Sequence, residues 1–492
     1  MKKLTAVLFP ILILGAFFVV FKAKAAEEPV LSQKEVADLA KPSVVKIVQR
    51  VKGKATVPSI DVDFLTMSVS TRSDVSPDDL QIDEYLVGTG VIVTPDGYIM
   101  TNSHVVSYQT VKNLIVSDYV YSAIDEGYSK LSEEDVNRLS ENKNQEEFNK
   151  FSEKIADYIL NESQFNVEKT VTVLNPSSKK ESIEDLAGEG FPAAVVSVND
   201  NFFKDSRDAA LIKIDQPDLP AAVLGDSSSV STGKKVYILG YPSTAEVSEK
   251  DLLEPTFSQG TISAMKDSLN KDFKILQTDA KISKGSSGGP LLDEQGKVIG
   301  LVTFITSDLT KQDGDSFAFA VPINVAKETL ANNKTAEGLP VDYRPGNYAE
   351  HFLLGLELLK SRQCKKAITE FNLAKQSNAV FGASNYPDAY LYQCEKITAA
   401  GNSLDTSWEV FKEKIKDAKY LVLILAVGGV GLAIILGLLW AWLFRKMRRD
   451  EKEMDNVEEY LHLNLEDGKP PEVNSEEKPE DSNQENKGTP IP

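Results

Sequence analysis

The sequence carries at residues 285–290 the stretch Gly-Ser-Ser-Gly-Gly-Pro, in which glycines flank two adjacent serines. Glycines on both sides allow the loop backbone angles that a side chain would forbid. In such a loop the N–H groups of Gly285 and Ser287 can point at one spot, where they would stabilise a negatively charged oxygen. The stretch therefore predicts an oxyanion-binding loop that contains a serine.

A serine hydroxyl is a weak nucleophile at neutral pH and needs an imidazole base and a carboxylate that orients this base. Among the three histidines of the chain, His104 lies in Thr-Asn-Ser-His-Val-Val at residues 101–106. Asp208 leads an apolar strand at residues 209–214, where a carboxylate can orient a histidine while shielded from water. Each segment alone has common structural explanations, but the order His104, Asp208, Ser287 is that of one class of serine hydrolase.

Further motifs surround these three segments. They are Gly-Thr-Gly at 88–90, Thr-Asp-Ala at 278–280, Gly-Leu-Val-Thr at 300–303 and Phe-Ala-Val-Pro at 319–322. With them the chain resembles a trypsin-like serine protease of the HtrA/Deg type over roughly residues 35–332. The resemblance implies two antiparallel β barrels in a protease domain, which we place at residues 35–335.

The resemblance also implies a role for each site residue. Ser287 attacks the substrate carbonyl, His104 carries the proton, and Asp208 orients His104. The N–H groups of Gly285 and Ser287 bind the oxyanion. Serine stands at position 286 where the family usually has asparagine, and only the Gly-x-Ser-Gly-Gly frame selects Ser287 as the nucleophile. Residues expected to pair with the substrate backbone are Val302, Thr303 and Phe304.

Composition restricts the classes of partner. The formal net charge is −19, and residues 450–492 contribute −10 of it, from fourteen acidic residues and four lysines. Such acidity argues against nucleic acid, which binds a basic face. The tail is rich in Pro, Glu, Asn, Lys and Ser, so residues 465–492 are predicted to be disordered. No residue cluster suggests a metal or another cofactor.

Two apolar segments predict export and membrane attachment. Residues 1–25 open with two lysines, followed by a long apolar run and Ala-Lys-Ala, which indicates a signal peptide; an uncleaved membrane anchor is the alternative. Residues 420–444 carry no charge and are long enough for one transmembrane helix. Together they predict a single-pass protein of the cell membrane, with the protease domain outside and the acidic, largely disordered tail at 450–492 in the cytoplasm.

Two stretches interrupt the protease pattern. Residues 53–85 are rich in Ser, Asp and Pro and are predicted to form a long loop between the first two strands. Residues 117–165 predict a helical insertion with an apolar stripe that must pack on other residues. The insertion either roofs the active-site cleft or packs away from it, because closeness in sequence to His104 does not fix the side of the barrel that the helices cover.

A linker at residues 336–347 leads to a TPR-like helical segment at residues 348–402. Its residues at the offsets of a tetratricopeptide (TPR) repeat are Leu354, Gly355, Leu358, Ala367, Phe371 and Ala374. A generic helical hairpin is the alternative. So short an array seldom stands alone, which predicts packing on the protease, on another copy or on a protein partner. The only cysteines, Cys364 and Cys394, lie here and could pair in an exported chain.

The sequence as a whole predicts a multidomain chain. An antiparallel β double barrel with a helical insertion is followed by the TPR-like α-helical segment, one transmembrane helix and the acidic tail. The predicted function is a serine endopeptidase that cleaves exported polypeptides, in protein quality control or regulated processing. The alternative is a catalytically inactive, membrane-anchored interaction protein that acts through the TPR-like segment.

Overall fold

The structure is a computed structural model that describes residues 30–141, 145–243, 252–305, 317–332, 341–377, 385–406 and 431–449, with single positions 381, 409, 429 and 452. The chain divides into two compact units, Met1–Asp405 and Thr406–Pro492. The predicted signal peptide and nearly all of the acidic tail lie outside the described residues, as do residues 336–340 of the predicted linker.

The first unit opens with helix α1 (Gln33–Ala40), which starts at a capping box formed by Ser32 and Glu35. The elements that follow are, in chain order, β1 (Val44–Val57), β2 (Ile60–Asp63), β3 (Ser68–Thr71), β4 (Asp78–Ile92), β5 (Tyr98–Thr101), α2 (Ser103–Val106), α3 (Tyr108–Ser129), α4 (Glu133–Glu141), α5 (Gln145–Glu162), β6 (Gln164–Val173), α6 (Ile183–Gly188), β7 (Phe191–Pro192), β8 (Ala194–Val198), α7 (Phe202–Asp205) and β9 (Ala210–Lys213). Seven of these strands form one sheet in the order β7-β6-β1-β4-β5-β9-β8. Inward residues such as Ile47, Ile99 and Ile212 fill its core.

The second half of the protease region is a closed six-stranded barrel. Its elements are β10 (Lys235–Gly240), β11 (Thr256–Asp267), β12 (Lys274–Thr278), β13 (Pro290–Leu292), β14 (Val298–Ile305), β15 (Ala318–Pro322) and the following helix α8 (Ile323–Asn332). Its strands run in the order β10-β11-β12-β15-β14-β13 around a core that includes Ile238, Leu276 and Val302. The predicted antiparallel β double barrel is confirmed, with a first half that is a seven-stranded sheet and a second half that is a closed barrel.

The prediction of a long loop at residues 53–85 is wrong. β1 and β4 pair without interruption from Val44↔Val91 to Val57↔Asp78, and β2 and β3 form a hairpin beyond them. One face of this ribbon is apolar and buries Val51, Ala55 and Ile82, whereas the other face is polar. The Ser, Asp and Pro content that suggested a loop therefore belongs to the turns and to the solvent face of an extended hairpin.

The helical insertion packs on the β2–β3 hairpin. Phe64, in the turn of the hairpin, lies edge-on to Phe151 of α5, with ring centroids 5.4 Å apart, and 4.5 Å from the ring of Tyr128. Phe151, Ile155 and Ile159 of the predicted apolar stripe are all buried in this cluster. The helices begin at Tyr108, nine residues earlier than the predicted insertion. The two insertions in the protease pattern therefore share one hydrophobic core of their own.

The TPR-like segment comprises α9 (Asn347–Lys360), α10 (Cys364–Gln376) and α11 (Asp388–Ala399). Its core, which contains Phe352, Phe371 and Tyr390, is continuous with apolar residues of α1 and of the second barrel. Asp38 of α1 joins the two parts, because its carboxylate accepts a hydrogen bond from the Tyr390 hydroxyl at 2.7 Å and its carbonyl accepts one from the Tyr348 hydroxyl at 2.6 Å. Of the three expected packing surfaces, the helices thus use the protease itself.

Cys364 and Cys394 are buried free thiols in this core. Burial and the hydrogen bond with the Cys364 thiol raise the pKa of Cys394 to about 12, so that its thiol is protonated at neutral pH. Protonation and burial together make the Cys394 thiol a poor nucleophile.

In the second unit, residues 431–449 are helical. Large apolar side chains along this helix are exposed, including those of Leu436, Leu438 and Trp440. Residues 420–428 and 430 of the predicted transmembrane segment lie outside the described residues. Among the helices that the structure does describe, none has the length and apolar character needed to cross a membrane.

Candidate active site

The fold brings His104 and Asp208 into direct contact. His104 lies on α2, the single turn that follows β5, and Asp208 lies two residues before the start of β9, the neighbour of β5 in the sheet. The His104 Nδ1 atom is 2.6 Å from Oδ2 of Asp208, and the His104 backbone N–H donates to Oδ1 at 3.1 Å. Because both carboxylate oxygens bind the same residue, the imidazole is fixed in position and in orientation.

Asp208 is only 5% exposed and must be stabilised in its charged form by its neighbours. Burial alone would raise the pKa of Asp208, but the charge of His104 and hydrogen bonds from His104 and Thr303 bring that pKa below its usual value. The carboxylate is therefore ionised at neutral pH, as an orienting group for an imidazolium must be.

Polar side chains at the end of β5 hold the two segments together. The Asn102 side-chain amide donates to the carbonyl of Asp208 at 2.7 Å, and the Ser103 hydroxyl donates to the carbonyl of Ala209 at 2.8 Å. The Thr101 hydroxyl donates to the carbonyl of Thr89 at 2.7 Å and ties β5 to β4. The sequence motif around His104 thus supplies the scaffold of the site as well as the base.

The loop at residues 285–290 packs so closely on both halves of the protease region that only glycine fits at two positions. Gly285 has φ +95°, and a Cβ there would lie 2.3 Å from the carbonyl oxygen of Tyr241. Gly288 has φ +86°, and a Cβ there would lie 2.1 Å from the carbonyl oxygen of Thr89. Thr89 also fastens the loop, because its N–H donates to the Ser287 carbonyl at 2.8 Å and its hydroxyl donates to the Gly285 carbonyl at 2.7 Å.

The predicted oxyanion donors remain available. Within the part of the chain that the structure describes, the backbone N–H groups of Gly285 and Ser287 donate to no protein acceptor, whereas the N–H groups of Ser286 and Gly288 do. Free N–H groups on alternate residues of a constrained loop are the arrangement that an oxyanion hole requires.

Thr303 connects the serine to the aspartate. The Ser287 hydroxyl donates to the Thr303 carbonyl at 2.8 Å, and the Thr303 hydroxyl donates to Oδ2 of Asp208 at 2.5 Å. The resemblance assigns Thr303 to substrate binding and does not indicate this second bond. The signal was present, because a threonine inside a buried apolar strand must find a partner for its hydroxyl.

The other two predicted substrate-binding residues flank Thr303 on β14. Val302 is buried, and its main-chain groups are already bonded, since its N–H donates to the Gly289 carbonyl at 2.9 Å and its carbonyl accepts from the Gly288 N–H at 2.8 Å. The Phe304 backbone continues the strand, and its side chain lies outside the described part. The main-chain groups of Val302 therefore hold the serine loop in position. A substrate backbone would have to pair with β14 beyond Val302.

Arg207, beside Asp208, braces the two halves of the protease region. Its Nη2 atom lies 2.8 Å from Oδ2 of Asp272, and its guanidinium lies over the ring of Phe273, 5.2 Å from the centroid. Both partners lie on the β11–β12 hairpin of the second barrel. A cation next to the orienting aspartate thus carries an inter-barrel contact, which the sequence alone did not indicate.

The chain is similar in sequence to known serine proteases. Residues 88–301 match the family model described as a trypsin-like peptidase domain. A probable periplasmic serine endoprotease of the DegP-like kind from Pseudomonas savastanoi pv. phaseolicola is 37% identical over 139 residues, 27% of this chain and 26% of that protein. The serine protease Do-like HtrA of Bacillus subtilis is 28% identical over 230 residues, 43% of this chain and 47% of that protein.

A solved structure of the HtrA-type protease AlgW with a decapeptide aligns at 20% identity and a TM-score of 0.33, over 61% of this chain and 66% of that one. The chain spans between about a quarter and a half of the length of the two curated relatives. The shared region contains the peptidase motifs, and the helical segment after residue 340 lies beyond the matched family model.

Proposed function

We propose that this chain is a serine endopeptidase that cleaves exported polypeptides. One observation carries the proposal: a buried, ionised Asp208 holds Nδ1 of His104, next to a glycine-constrained loop that presents Ser287. The trypsin-like peptidase match over residues 88–301 and the naming of relatives as serine endoproteases support the same reaction.

In the proposed reaction Ser287 releases the Thr303 carbonyl and gives its proton to Nε2 of His104 as its oxygen attacks the substrate carbonyl carbon. The N–H groups of Gly285 and Ser287 stabilise the oxyanion that forms. His104 then protonates the leaving amine, the C–N bond breaks, and an acyl-enzyme remains on Ser287. Water attacks this ester with His104 as base, which frees the carboxylate product and restores the serine.

The place of action in this proposal is the outer face of a membrane. The relatives named periplasmic support an extracytoplasmic protease domain. A helix at residues 431–449 with exposed apolar side chains supports an anchor within residues 420–444. The segment at 348–402 then acts as a fixed part of the protease, because its buried aromatic residues face α1 and the barrel.

An active-site probe separates this proposal from the alternative of an inactive interaction protein. A fluorophosphonate reacts with a serine only when a base activates it. We expect the full chain to become labelled at Ser287, and heat-unfolded protein and the Ser287→Ala variant to remain unlabelled. A folded chain that fails to react would refute the peptidase and favour the interaction protein.

A further inference from the structure

A groove separates the β1–β4 ribbon from helix α3. It encloses about 630 Å³, which is within the size range of protein ligand sites. The floor is apolar and includes Val51, Ile82, Leu86, Val111 and Ile115. We call this feature the insertion groove.

The rim of the insertion groove is acidic. Glu84 on the ribbon and Asp118 on α3 line it, both are exposed, and no lysine or arginine is among the lining residues. Neither carboxylate forms an ion pair with another described residue. Other carboxylates nearby, such as Asp83, do pair with Arg50 and Lys52, so the rim charges stand out as uncompensated.

From these features we infer that the insertion groove binds a polypeptide segment in which apolar side chains alternate with lysine or arginine. The apolar floor takes the hydrophobic side chains, and Glu84 and Asp118 attract the cations. The inference rests on the proposed function, since the segment would belong to a substrate. Leu86 lies three residues, or roughly 10 Å of strand, before Thr89, which fastens the serine loop, and this odd spacing places the two side chains on opposite faces of β4.

A segment held at this distance raises the local concentration of the remaining chain at Ser287. The groove should therefore lower KM for long substrates that contain such a segment and leave kcat unchanged. Substrates too short to reach it should be cleaved with unaltered KM.

The binding test uses the full chain with Ser287→Ala, which prevents cleavage, and fluorescence anisotropy of a labelled short peptide of leucine and lysine. We expect this peptide to bind and its analogue with glutamate for lysine not to bind. The double variant Glu84→Lys/Asp118→Lys should weaken binding by about tenfold or more, because two attractions become repulsions. The matched control Glu153→Lys/Asp157→Lys makes the same charge change on exposed positions of α5 that do not line the groove.

Equal weakening by both double variants would mean that the peptide responds only to net charge, and the inference would be overturned. The melting temperatures of both double variants should match that of the Ser287→Ala parent, so that lost binding could not be attributed to unfolding. Because the binding assay requires no catalysis, the two proposals can fail separately. Failure of Ser287 to react with a probe would refute the peptidase, whereas failure of the peptide to bind would refute the groove.

Discussion

The Thr303 hydroxyl donates to Oδ2 of Asp208 at 2.5 Å, across the boundary between the two halves of the protease region. The same oxygen accepts the hydrogen bond of His104 Nδ1. Asp208 belongs to the first sheet region and Thr303 to β14 of the closed barrel. The orientation of the base therefore depends on how the halves dock.

Replacement of Thr303 by valine should lower kcat/KM by roughly tenfold to a hundredfold, because a hydrogen bond to a charged group contributes about 1.5–3 kcal/mol. Without this donor, more of the negative charge on Asp208 acts on His104, so the acid limb of the kcat/KM profile should move to higher pH. Thr303→Ser keeps the hydroxyl and should restore both values. A Thr303→Val profile that is lower but unshifted would indicate a purely structural role.

Ser287→Ala should reduce turnover by about 10⁶, whereas Ser286→Ala should remain active. Ser286 is buried, and its N–H donates to the Ser283 carbonyl at 3.0 Å, so its contribution is to the shape of the loop. Hydrolysis of a fluorogenic peptide by the two variants provides the measurement. An inactive Ser286→Ala variant that still folds would reassign the nucleophile.

Asp208 should make stability depend on pH in the acid range. The pKa of Asp208 is lowered in the folded protein, so its carboxylate contributes stability above the unfolded value near 3.9 and loses this contribution as pH falls through the folded value. The melting temperature is measured as a function of pH for Ser287→Ala and for Ser287→Ala/Asp208→Asn. The two curves should therefore have different slopes below about pH 4. Parallel curves across that range would contradict the prediction.

Phe64→Ala should open the shared core of the hairpin and the helical insertion. The ring of Phe64 is buried against Phe151 and Tyr128, and truncation of such a ring costs about 3–5 kcal/mol. Limited proteolysis should then cut within residues 108–162, while fluorophosphonate labelling of Ser287 continues. Leu65→Ala is the control, since this neighbour is exposed and its loss should leave proteolysis unchanged.

The topology makes a separate prediction. A protease added to spheroplasts should reach residues 27–410 and leave residues 465–492 intact, because the proposed topology places an export signal before a single anchoring helix. Epitope tags at the two ends of the mature chain would report the cleavage pattern. Loss of the C-terminal tag from intact spheroplasts would refute this orientation.

The sequence by itself determined the chemistry of the site and the kind of fold. Only glycine tolerates the backbone angles and contacts at positions 285 and 288, so the motif already specified a constrained serine loop. The motifs around His104 and Asp208 likewise carried their local scaffold. Such features could be predicted because they depend on neighbouring residues and on backbone geometry.

Tertiary structure alone decided which distant residues meet. Thr303 reaches Asp208 over 95 positions of sequence, and Tyr390 reaches Asp38 over 352. The polar stretch at 53–85 became a hairpin because the helices of the insertion cover its apolar face. Local sequence patterns indicate which residues need burial or a hydrogen-bond partner. The packing of whole elements determines which partner each residue meets, and the residue spacing within one segment does not predict that packing.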